Sequence, residues 1–296
     1  MVAAVTKQIE QFVQELGDER SYELFTKVPS GKMLRTKLIL QIAKTPEAVR
    51  LAAIVEMIHA ASLLHDDVID EATKRRGVDS INAIFGNKSA IMLGDILYSK
   101  AFYELTKFSS QIAQTISHAV ALLSLGELKD VELSNSFNSN EESYFDMIYK
   151  KTASLIEASA KSAAILAGLD SEAYGLYGKN LGLAFQIVDD ILDITQNEQT
   201  LGKPALADFA EGKTTLPYIY LYQSLGEDDR QKLLYLFKKE LNPEQKAWLF
   251  DKFEETGAIQ RAKEQARALG HEALEQLHKS DEKLRQIMEE LIERTY

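Results

Sequence analysis

Two acidic runs, Asp66-Asp67-Val68-Ile69-Asp70 and Asp189-Asp190-Ile191-Leu192-Asp193, share the pattern DDxxD, and a long apolar stretch precedes each of them. Aspartates four residues apart share one face of a helix, where their charges repel by a few tenths of a kcal/mol. Helix interiors and helix C-termini both disfavour aspartate. One such run would be explained as a solvated helix end, but two matching runs indicate a compensating charge. We expect a hard divalent cation such as Mg²⁺, which binds carboxylate oxygens and substrate phosphates.

The composition of the 296 residues narrows the class of protein. Hydrophobic residues make up 45% of the chain, with five prolines and no low-complexity tract, which is typical of a globular protein. The absence of cysteine excludes disulfides, thiol catalysis and thiolate metal sites. A net charge of −11 argues against nonspecific binding of nucleic acid. Local basic clusters remain compatible with a phosphorylated substrate.

The sequence carries no sign of export or of a membrane span. Its first 20 residues include Lys7, Glu10 and Glu15 among scattered apolar positions, which argues against a secretory signal. No uncharged apolar run reaches about 18 residues, the length that a transmembrane helix requires. We therefore expect a cytoplasmic protein without a transmembrane segment.

The hydrophobic pattern is helical almost throughout. Apolar residues recur at three- and four-residue spacing in six stretches: 5–16, 47–69, 88–108, 112–133, 144–169 and 172–195. Thr45-Pro46 is typical of an N-cap followed by proline in the first helical turn. After residue 225 the chain becomes charge-rich and amphipathic, as expected for a peripheral helical layer. Without a linker or an alternating strand pattern, the sequence predicts one all-α domain spanning residues 1–296.

Basic residues are clustered where phosphate would bind if the aspartates hold Mg²⁺. Lys74-Arg75-Arg76-Gly77 follows the first motif, and arginine matches phosphate oxygens in a bidentate manner. Gly31-Lys32-Met33-Leu34-Arg35 opens another helix, whose N-terminus favours anions. Further candidates are Lys151-Thr152, Lys203 and Lys213-Thr214-Thr215. Each cluster alone could be a surface charge, but together with two acidic motifs they predict a site for metal-bridged diphosphate.

Two histidines lie close to the first motif. His59 precedes Asp66 by seven residues, which places both on nearly the same face of one helix and favours a functional role. His65 directly precedes the motif, and we expect a structural role for it. A lone histidine on an apolar helix is more often a core residue than a functional one.

In their order along the chain, these motifs resemble those of the trans-isoprenyl diphosphate synthases, which lengthen an allylic diphosphate with isopentenyl diphosphate. The similarity covers roughly residues 28–220, and the matching segments are Gly31–Arg35, Glu56–His59, Leu64–Asp70, Arg75–Gly77, Gly94-Asp95, Lys151-Thr152, Phe185–Asp193, Gly202–Pro204 and Gly212–Pro217. The resemblance implies a helical bundle of the isoprenoid-synthase type around a central cavity. The chain departs from the family pattern at Met33 and Thr36, where the family usually has a basic residue and a proline.

The resemblance also implies a role for individual residues. Isopentenyl diphosphate would be bound by Lys32, Arg35, His59 and Arg76. The allylic diphosphate would be bound by Arg75, Lys151, Thr152, Gln186, Lys203 and Lys213. About three Mg²⁺ ions, shared with that diphosphate, would be held by Asp66, Asp70 and Asp189, with Asp67, Asp190 and Asp193 as nearby or water-mediated partners. The six aspartates with Lys151 and Lys213 form the implied catalytic set.

The residues before the first motif bear on product length. In the family, an aromatic residue four or five positions before the motif closes the product tunnel early, whereas Ser62 and Ala61 are small here. Ile58 and Met57 continue the same path away from the metals. The resemblance therefore implies a long-chain product of C30 to C45, about C40, from a farnesyl or geranylgeranyl starter. Such chains usually serve as quinone tails.

Several alternatives stay open. They are a short-chain synthase giving C15 or C20, a non-catalytic regulatory subunit of a heteromeric synthase, and a terpene cyclase. A cyclase would not need Lys32, Arg35 and His59, and a regulatory subunit would tend to have lost one acidic motif. The resemblance implies a homodimer that contacts through helices around 88–135. We also expect a peripheral membrane contact for product release.

Overall fold

The computed structural model describes residues 2–196 and 205–293, and this part of the chain is helical apart from two strands of two residues each. The elements up to residue 133 are α1 (Val2–Gln14), α2 (Glu19–Phe25), α3 (Leu34–Ile42), α4 (Pro46–Ile69), β1 (Lys74–Arg75), β2 (Val78–Asp79), α5 (Ile81–Phe85), α6 (Asn87–Leu105) and α7 (Ser110–Leu133). The predicted all-α class is confirmed.

The second half of the chain continues in the same way. Its elements are α8 (Glu141–Ile148), a π-helical turn (Tyr149–Ala153), α9 (Ser154–Ala167), α10 (Ser171–Thr195), α11 (Ala207–Ala210), α12 (Leu216–Ser224), α13 (Glu227–Leu236), α14 (Pro243–Thr256), α15 (Ala258–Glu275) and α16 (Glu282–Glu293). Five of the six predicted stretches correspond to one helix each. The sixth, 144–169, is divided by the π-helical turn.

Residue contacts divide the chain into two compact units. Unit 1 comprises Met1–Ala121 with Leu155–Gly175, and unit 2 comprises Leu122–Ser154 with Leu176–Tyr296. The single domain that the sequence predicts stays a prediction.

Helix α4 is the core of unit 1. It packs against α1, α3 and α6, and its residues from Leu51 to Val55 are fully buried. The helix begins at Pro46 as predicted, although the Thr45 side chain makes no capping hydrogen bond. In length and composition α4 could cross a membrane, but 61% of its most apolar window is buried within the protein, as in the core helix of a soluble domain. The first acidic motif therefore stands at the end of a rigid helix.

Unit 2 is organised around α12, whose residues from Leu216 to Leu221 are all buried. This helix packs against α8, α14 and α15. The Phe209 ring stacks on the Tyr218 ring with centroids 4.4 Å apart. Tyr177 on α10 donates a hydrogen bond to the Leu284 carbonyl oxygen at 2.8 Å, which ties α16 to the helix of the second motif. The charge-rich region after residue 225 thus covers the core of unit 2, as the sequence predicts.

A buried ionic network joins α6 to α1 and α4 in unit 1. The fully buried carboxylate of Glu104 accepts hydrogen bonds from Arg50 at 2.5 Å and from Lys100 and Lys107 at 2.9 Å. Lys100 also pairs with Glu15 at 2.8 Å. Burial alone would raise the pKa of Glu104, but its hydrogen bonds with Lys100, Lys107 and Arg50 lower it to about 2. The charged form of Glu104 is therefore part of the folded state at neutral pH.

Replacing Glu104 by glutamine should lower the free energy of unfolding at pH 7 by about 3–5 kcal/mol, because the buried Lys100 ammonium loses a charged partner. The folded pKa lies below the ordinary value of 4.5, so this stabilisation is complete above about pH 4.5 and is lost as the pH falls toward 2. Urea unfolding of wild type and E104Q at pH 7 and pH 3 measures the difference, which should shrink at pH 3.

The matched control for this network is E23Q. Glu23 pairs with Arg20 at 2.6 Å on the surface, and both side chains are more than half exposed. An exposed pair contributes about 0–1 kcal/mol, so E23Q should change little at either pH. An equal loss for E104Q at both pH values would contradict the network as the source of stability.

Candidate active site

The first acidic motif ends α4, and the structure separates its three aspartates. Asp66 is half-buried and Asp70 is exposed, whereas Asp67 is only 4% exposed. The N–H of Asp70 donates to the Asp66 carbonyl oxygen at 2.8 Å and closes the last helical turn. Asp66 and Asp70 thus remain on the accessible side of the helix end, where the sequence predicts metal ligands.

The Asp67 side chain is hydrogen-bonded to other groups of the protein. Its Oδ1 accepts two hydrogen bonds from Arg75, one from Nε at 2.8 Å and one from Nη2. Asn82 donates to the Asp67 carbonyl oxygen at 3.1 Å and to that of Ala72 at 2.9 Å. The buried middle aspartate therefore anchors the segment that follows the motif.

That segment is a β-hairpin, which the sequence pattern did not reveal. Arg75 pairs with Val78 across β1 and β2, and the two residues between them, Arg76 and Gly77, have φ of 54° and 80°. Two successive positive φ values are the signature of a type I′ turn, whose twist matches that of a two-stranded ribbon. Arg76 occupies a position that normally favours Asn or Gly, so its backbone is strained. Arg75 and Arg76, although consecutive, have different partners.

Arg76 extends from the hairpin to the loop before α3. Its Nη1 donates to the Pro29 carbonyl oxygen at 2.8 Å, and its guanidinium lies so close to Gly31 that a Cβ at that position would overlap it. A Cβ at position 31 would thus displace the Arg76 guanidinium from this position. Lys32 is exposed beside this contact.

Arg35, Arg75 and Arg76 form a guanidinium cluster around His59. Burial, together with the positive charges of Arg35, Arg76 and Arg75, holds the pKa of His59 well below its ordinary value of 6.5. The imidazole is therefore neutral at pH 7. The buried Nε of Arg35 has no hydrogen-bond partner among the described residues. An unpaired donor amid excess positive charge is what a binding site for an anion requires.

His65 fastens the end of α4 to α6. Its Nε2 lies 3.1 Å from the Ile91 carbonyl oxygen and 3.5 Å from Asp95 Oδ1. The imidazole fits against α6 only because residue 94 is glycine, since a Cβ there would overlap the ring. These contacts agree with the structural role predicted for His65. They also explain why residue 94 is glycine, since a side chain there would overlap the imidazole.

The second acidic motif lies on α10 in unit 2, and here again the middle aspartate is buried. Asp189 is exposed, whereas Asp190 is 3% exposed and Asp193 is 2% exposed. Asp190 accepts hydrogen bonds from Tyr144 Oη at 2.5 Å and Gln186 Nε2 at 2.9 Å. Burial and the neighbouring charge of Asp208 raise the pKa of Asp190 well above its ordinary value of 3.8. Asp190 is an anchoring residue of unit 2.

Asp193 and Gln186 extend this network. Asp193 Oδ2 accepts a hydrogen bond from the Asp208 N–H at 3.3 Å. Gln186 Oε1 accepts one from Thr152 Oγ1 at 2.9 Å, so the amide links Thr152 to Asp190. Gln186 and Thr152 are predicted substrate contacts. In the structure they are hydrogen-bonded to each other, and Gln186 is hydrogen-bonded to Asp190.

Lys151 and Thr152 lie in the π-helical turn. A π-turn carries one more residue than an α-turn and is frequent at functional sites. It passes so close to α7 that a Cβ at Gly126 would overlap the backbone of Lys151. The Lys151 ammonium pairs with Asp130 at 2.6 Å and Glu127 at 2.8 Å. Burial acts to lower the pKa of Lys151, but Asp130 and Glu127 outweigh it and raise the pKa.

Two predicted lysines remain. Lys213 follows α11, its N–H donates to the Asp208 carbonyl oxygen at 2.8 Å, and its ammonium pairs with Glu211 at 3.0 Å. Lys203 lies outside the described residues.

The predicted residues therefore fall into two groups. Unit 1 brings together Arg35, His59, Arg75 and Arg76 near the first motif, and unit 2 brings together Thr152, Gln186 and Asp190. The residues that the sequence analysis missed are Glu56, Tyr144, Glu127 and Asp130. Each of these acts as a partner of a predicted residue from a distant part of the chain, and only Glu56 belongs to a quoted motif.

The residues predicted to set product length are buried on α4. Met57, Ile58 and Ala61 are at most 1% exposed, and Ser62 is 4% exposed. The Ser62 hydroxyl donates to the His59 carbonyl oxygen at 2.9 Å, so it is satisfied within its own helix. Because its hydroxyl is already bonded within α4, Ser62 behaves as a small, nearly apolar residue at this position of the helix.

Comparison with known proteins agrees with the motifs. Residues 19–252 match the family model described as polyprenyl synthetase. The chain belongs to the polyprenyl synthetase family. The octaprenyl pyrophosphate synthase from Helicobacter pylori is 45% identical, with 98% of both chains covered and a TM-score of 0.93. The predicted family, the isoprenoid-synthase fold and the assignment as a prenyltransferase are thereby confirmed.

Curated relatives include enzymes of different product length. The chloroplastic solanesyl-diphosphate synthase 2 of Oryza sativa subsp. japonica is 36% identical over 263 residues, which are 83% of this chain but 64% of the rice protein. A short chain isoprenyl diphosphate synthase of Methanothermobacter thermautotrophicus is 35% identical, with 90% of this chain and 87% of that protein covered. Family membership alone therefore does not set the product length.

The single variants D66N and D67N should distinguish the proposed metal-binding role of Asp66 from the anchoring role of Asp67. D66N should lower Mg²⁺-dependent turnover by orders of magnitude while the melting temperature is unchanged or higher, because repulsion from Asp70 is relieved. D67N should lower the melting temperature, because Arg75 loses its buried partner. Calorimetry and incorporation of labelled isopentenyl diphosphate measure both effects. A D66N variant with normal turnover would contradict the ligand assignment.

Proposed function

We propose that this protein is a long-chain trans-polyprenyl diphosphate synthase. It would add isopentenyl units to a farnesyl or geranylgeranyl diphosphate, to about C40, and its product would serve as a quinone side chain. The observation that carries the proposal is the guanidinium cluster with a neutral His59 and an unpaired Arg35 Nε, next to the accessible Asp66. The 45% identity to an octaprenyl enzyme over 98% of both chains supports the long product.

The donor set fits Mg²⁺. Asp66 and Asp70 in unit 1 and Asp189 in unit 2 are accessible carboxylates, and among the described residues no three His, Cys, Asp or Glu side chains gather into a closed metal site. Mg²⁺ commonly binds one or two carboxylates and completes its coordination with water and substrate phosphates. About three such ions would stabilise the negative charge that develops on the departing allylic diphosphate.

The protein's own residues divide the remaining work. Lys32, Arg35, His59 and Arg76 would bind the diphosphate of the isopentenyl substrate. Arg75, Lys151, Thr152, Gln186, Lys203 and Lys213 would orient the allylic diphosphate. No protein nucleophile is needed, because the double bond of the isopentenyl group attacks the allylic carbon and a proton is then lost. The buried apolar residues of α4 would exclude water from the reactive carbon.

One incubation tests the proposed function. Purified protein with Mg²⁺, isopentenyl diphosphate and farnesyl diphosphate should give a product of C30 to C45 by mass spectrometry, and none after chelation of the metal. A C15 or C20 product would favour the short-chain alternative. A fully loaded protein without turnover would favour a regulatory subunit, and a cyclic hydrocarbon would favour a terpene cyclase.

The A61F variant tests the path of the growing chain. Ala61 would place the phenylalanine ring on the α4 face that the product is proposed to follow, so the main product should shorten to C15 or C20. Mg²⁺ dependence should be unchanged. Reverse-phase analysis of the products measures the length.

A52F is the matched control, because Ala52 is also fully buried and lies nine residues away, on the opposite face of α4. Overpacking there should cost about 1–3 kcal/mol in stability without shortening the product. A stable A61F variant that makes the wild-type product would contradict the proposed path.

We also propose a homodimer. Helix α6 exposes Ile91, Met92 and Tyr103, and the second half of α7 exposes Leu125, Leu128 and Val131 at three-residue spacing. A two-fold dimer needs a self-complementary patch of this kind. M92D should shift the protein toward a monomer in light scattering at micromolar concentration, whereas Y235D, at an exposed aromatic residue on α13, should not. A wild-type protein that is active as a monomer would contradict the proposal.

The cellular location is part of the same proposal. A cytoplasmic enzyme with a C40 product needs a route by which that product reaches a membrane, so we propose a peripheral membrane contact at product release. Sedimentation with anionic and neutral vesicles after turnover measures it.

A further inference from the structure

Thr36 makes a contact that a proline could not make. It lies in the first turn of α3, is fully buried, and donates two hydrogen bonds to one carboxylate oxygen of Glu56 on α4. The backbone N–H lies 3.2 Å from Glu56 Oε1, and the side-chain Oγ1 lies 2.8 Å from the same atom. Proline lacks both donors. Thr36 and Glu56 thus connect the two helices that carry Arg35 and His59.

Glu56 and Asp67 are the two carboxylates near the guanidinium cluster, and Asp67 is already paired with Arg75. The negative charge of Glu56 raises the pKa values of Arg35 and Arg76, although burial lowers both overall. Among the described residues, Glu56 acts on Arg35 through charge without a hydrogen bond, and the hydrogen bonds that it accepts come from Thr36. The buried Nε of Arg35 remains without a partner among the described residues. The Glu56 carboxylate is therefore near Arg35 but is held away from it.

We propose that Thr36 is a positioning residue that holds the Glu56 carboxylate away from Arg35, so that the Arg35 guanidinium stays available to the diphosphate of the isopentenyl substrate. The inference rests on the proposed function. Without the Thr36 hydroxyl, Glu56 is freer to turn toward Arg35 and to compete with the substrate for its donors. Charge-assisted hydrogen bonds are strong enough for this competition to matter.

The experiment is a cycle of T36V, E56Q and the double variant T36V/E56Q. T36V replaces the hydroxyl by a methyl group of similar size and should raise KM for isopentenyl diphosphate about tenfold, as expected for one hydrogen bond to a charged group. The KM for the allylic substrate and kcat should change less than about twofold. T36S, which keeps the hydroxyl, should restore the wild-type KM.

The E56Q variant is the second part of the experiment. E56Q removes the competing charge, so its KM for isopentenyl diphosphate should be equal to or lower than that of wild type. T36V should have no further effect in the E56Q background, since a neutral amide does not compete for Arg35 in the same way. Calorimetric titration of the metal-free protein with isopentenyl diphosphate should show the same pattern in Kd. E56Q keeps the result interpretable should T36V fail to fold.

The outcomes separate the inference from the function on which it rests. A wild-type protein that neither binds isopentenyl diphosphate nor forms product would overturn the proposed function and this inference with it. A fully active wild type with an unchanged KM in T36V, an equal effect of T36V with and without Glu56, or a raised KM in E56Q would overturn this inference alone. A lower melting temperature with unchanged KM would show that the Thr36–Glu56 contact is only structural.

Discussion

The rest of the structure depends on how repulsion between neighbouring carboxylates is relieved in each DDxxD run. In both runs the middle aspartate turns into the protein and finds donors there: Asp67 meets Arg75, and Asp190 meets Tyr144 and Gln186. A buried carboxylate must be paired or protonated. Asp67 is paired with a guanidinium, whereas burial raises the pKa of Asp190, which accepts hydrogen bonds from uncharged groups. The outer residues Asp66 and Asp189 are left accessible. The anchors thus decide which carboxylates remain for a metal.

The two anchors also shape what surrounds them. The Asp67–Arg75 pair fixes the strand that leads into the Arg76-Gly77 turn, so it indirectly sets where the Arg76 guanidinium lies. Burial, together with the charges of the three guanidiniums, lowers the pKa of His59. In unit 2 the Asp190 network reaches Thr152 in the π-helical turn through Gln186. The buried aspartate of each motif is therefore linked by hydrogen bonds to other polar side chains of its own unit.

Sequence reasoning located the helices and the charged motifs because both depend on local patterns. Helical periodicity predicted α4 and α10 within a residue or two, and the spacing of Asp66 and Asp70 placed them on one face. The resemblance separated the implied metal ligands from the other aspartates, but sequence reasoning did not predict that Asp67 and Asp190 are buried anchors, because tertiary packing supplies their partners Arg75 and Tyr144. The π-helical turn was also missed. It lies where Gly126 of α7 closely approaches the Lys151 backbone, a tertiary contact that local patterns do not reveal. The positive φ of Arg76 contradicts local preference and is imposed by its partners.

The two sites differ in net charge, and the difference matches the proposed ligands. In unit 1 the three guanidiniums lie near two carboxylates: Asp67, which pairs with Arg75, and Glu56, which accepts hydrogen bonds from Thr36. In unit 2 the Lys151 ammonium is already paired with Glu127 and Asp130, so it adds little net charge. A diphosphate bound to Mg²⁺ is largely neutralised and needs oriented donors more than additional positive charge. A diphosphate without metal needs unpaired cations, and the buried Nε of Arg35 has no hydrogen-bond partner among the described residues. The distribution of charge thus supports the proposal that the metal-free isopentenyl diphosphate binds in unit 1, independently of the motif that first suggested it.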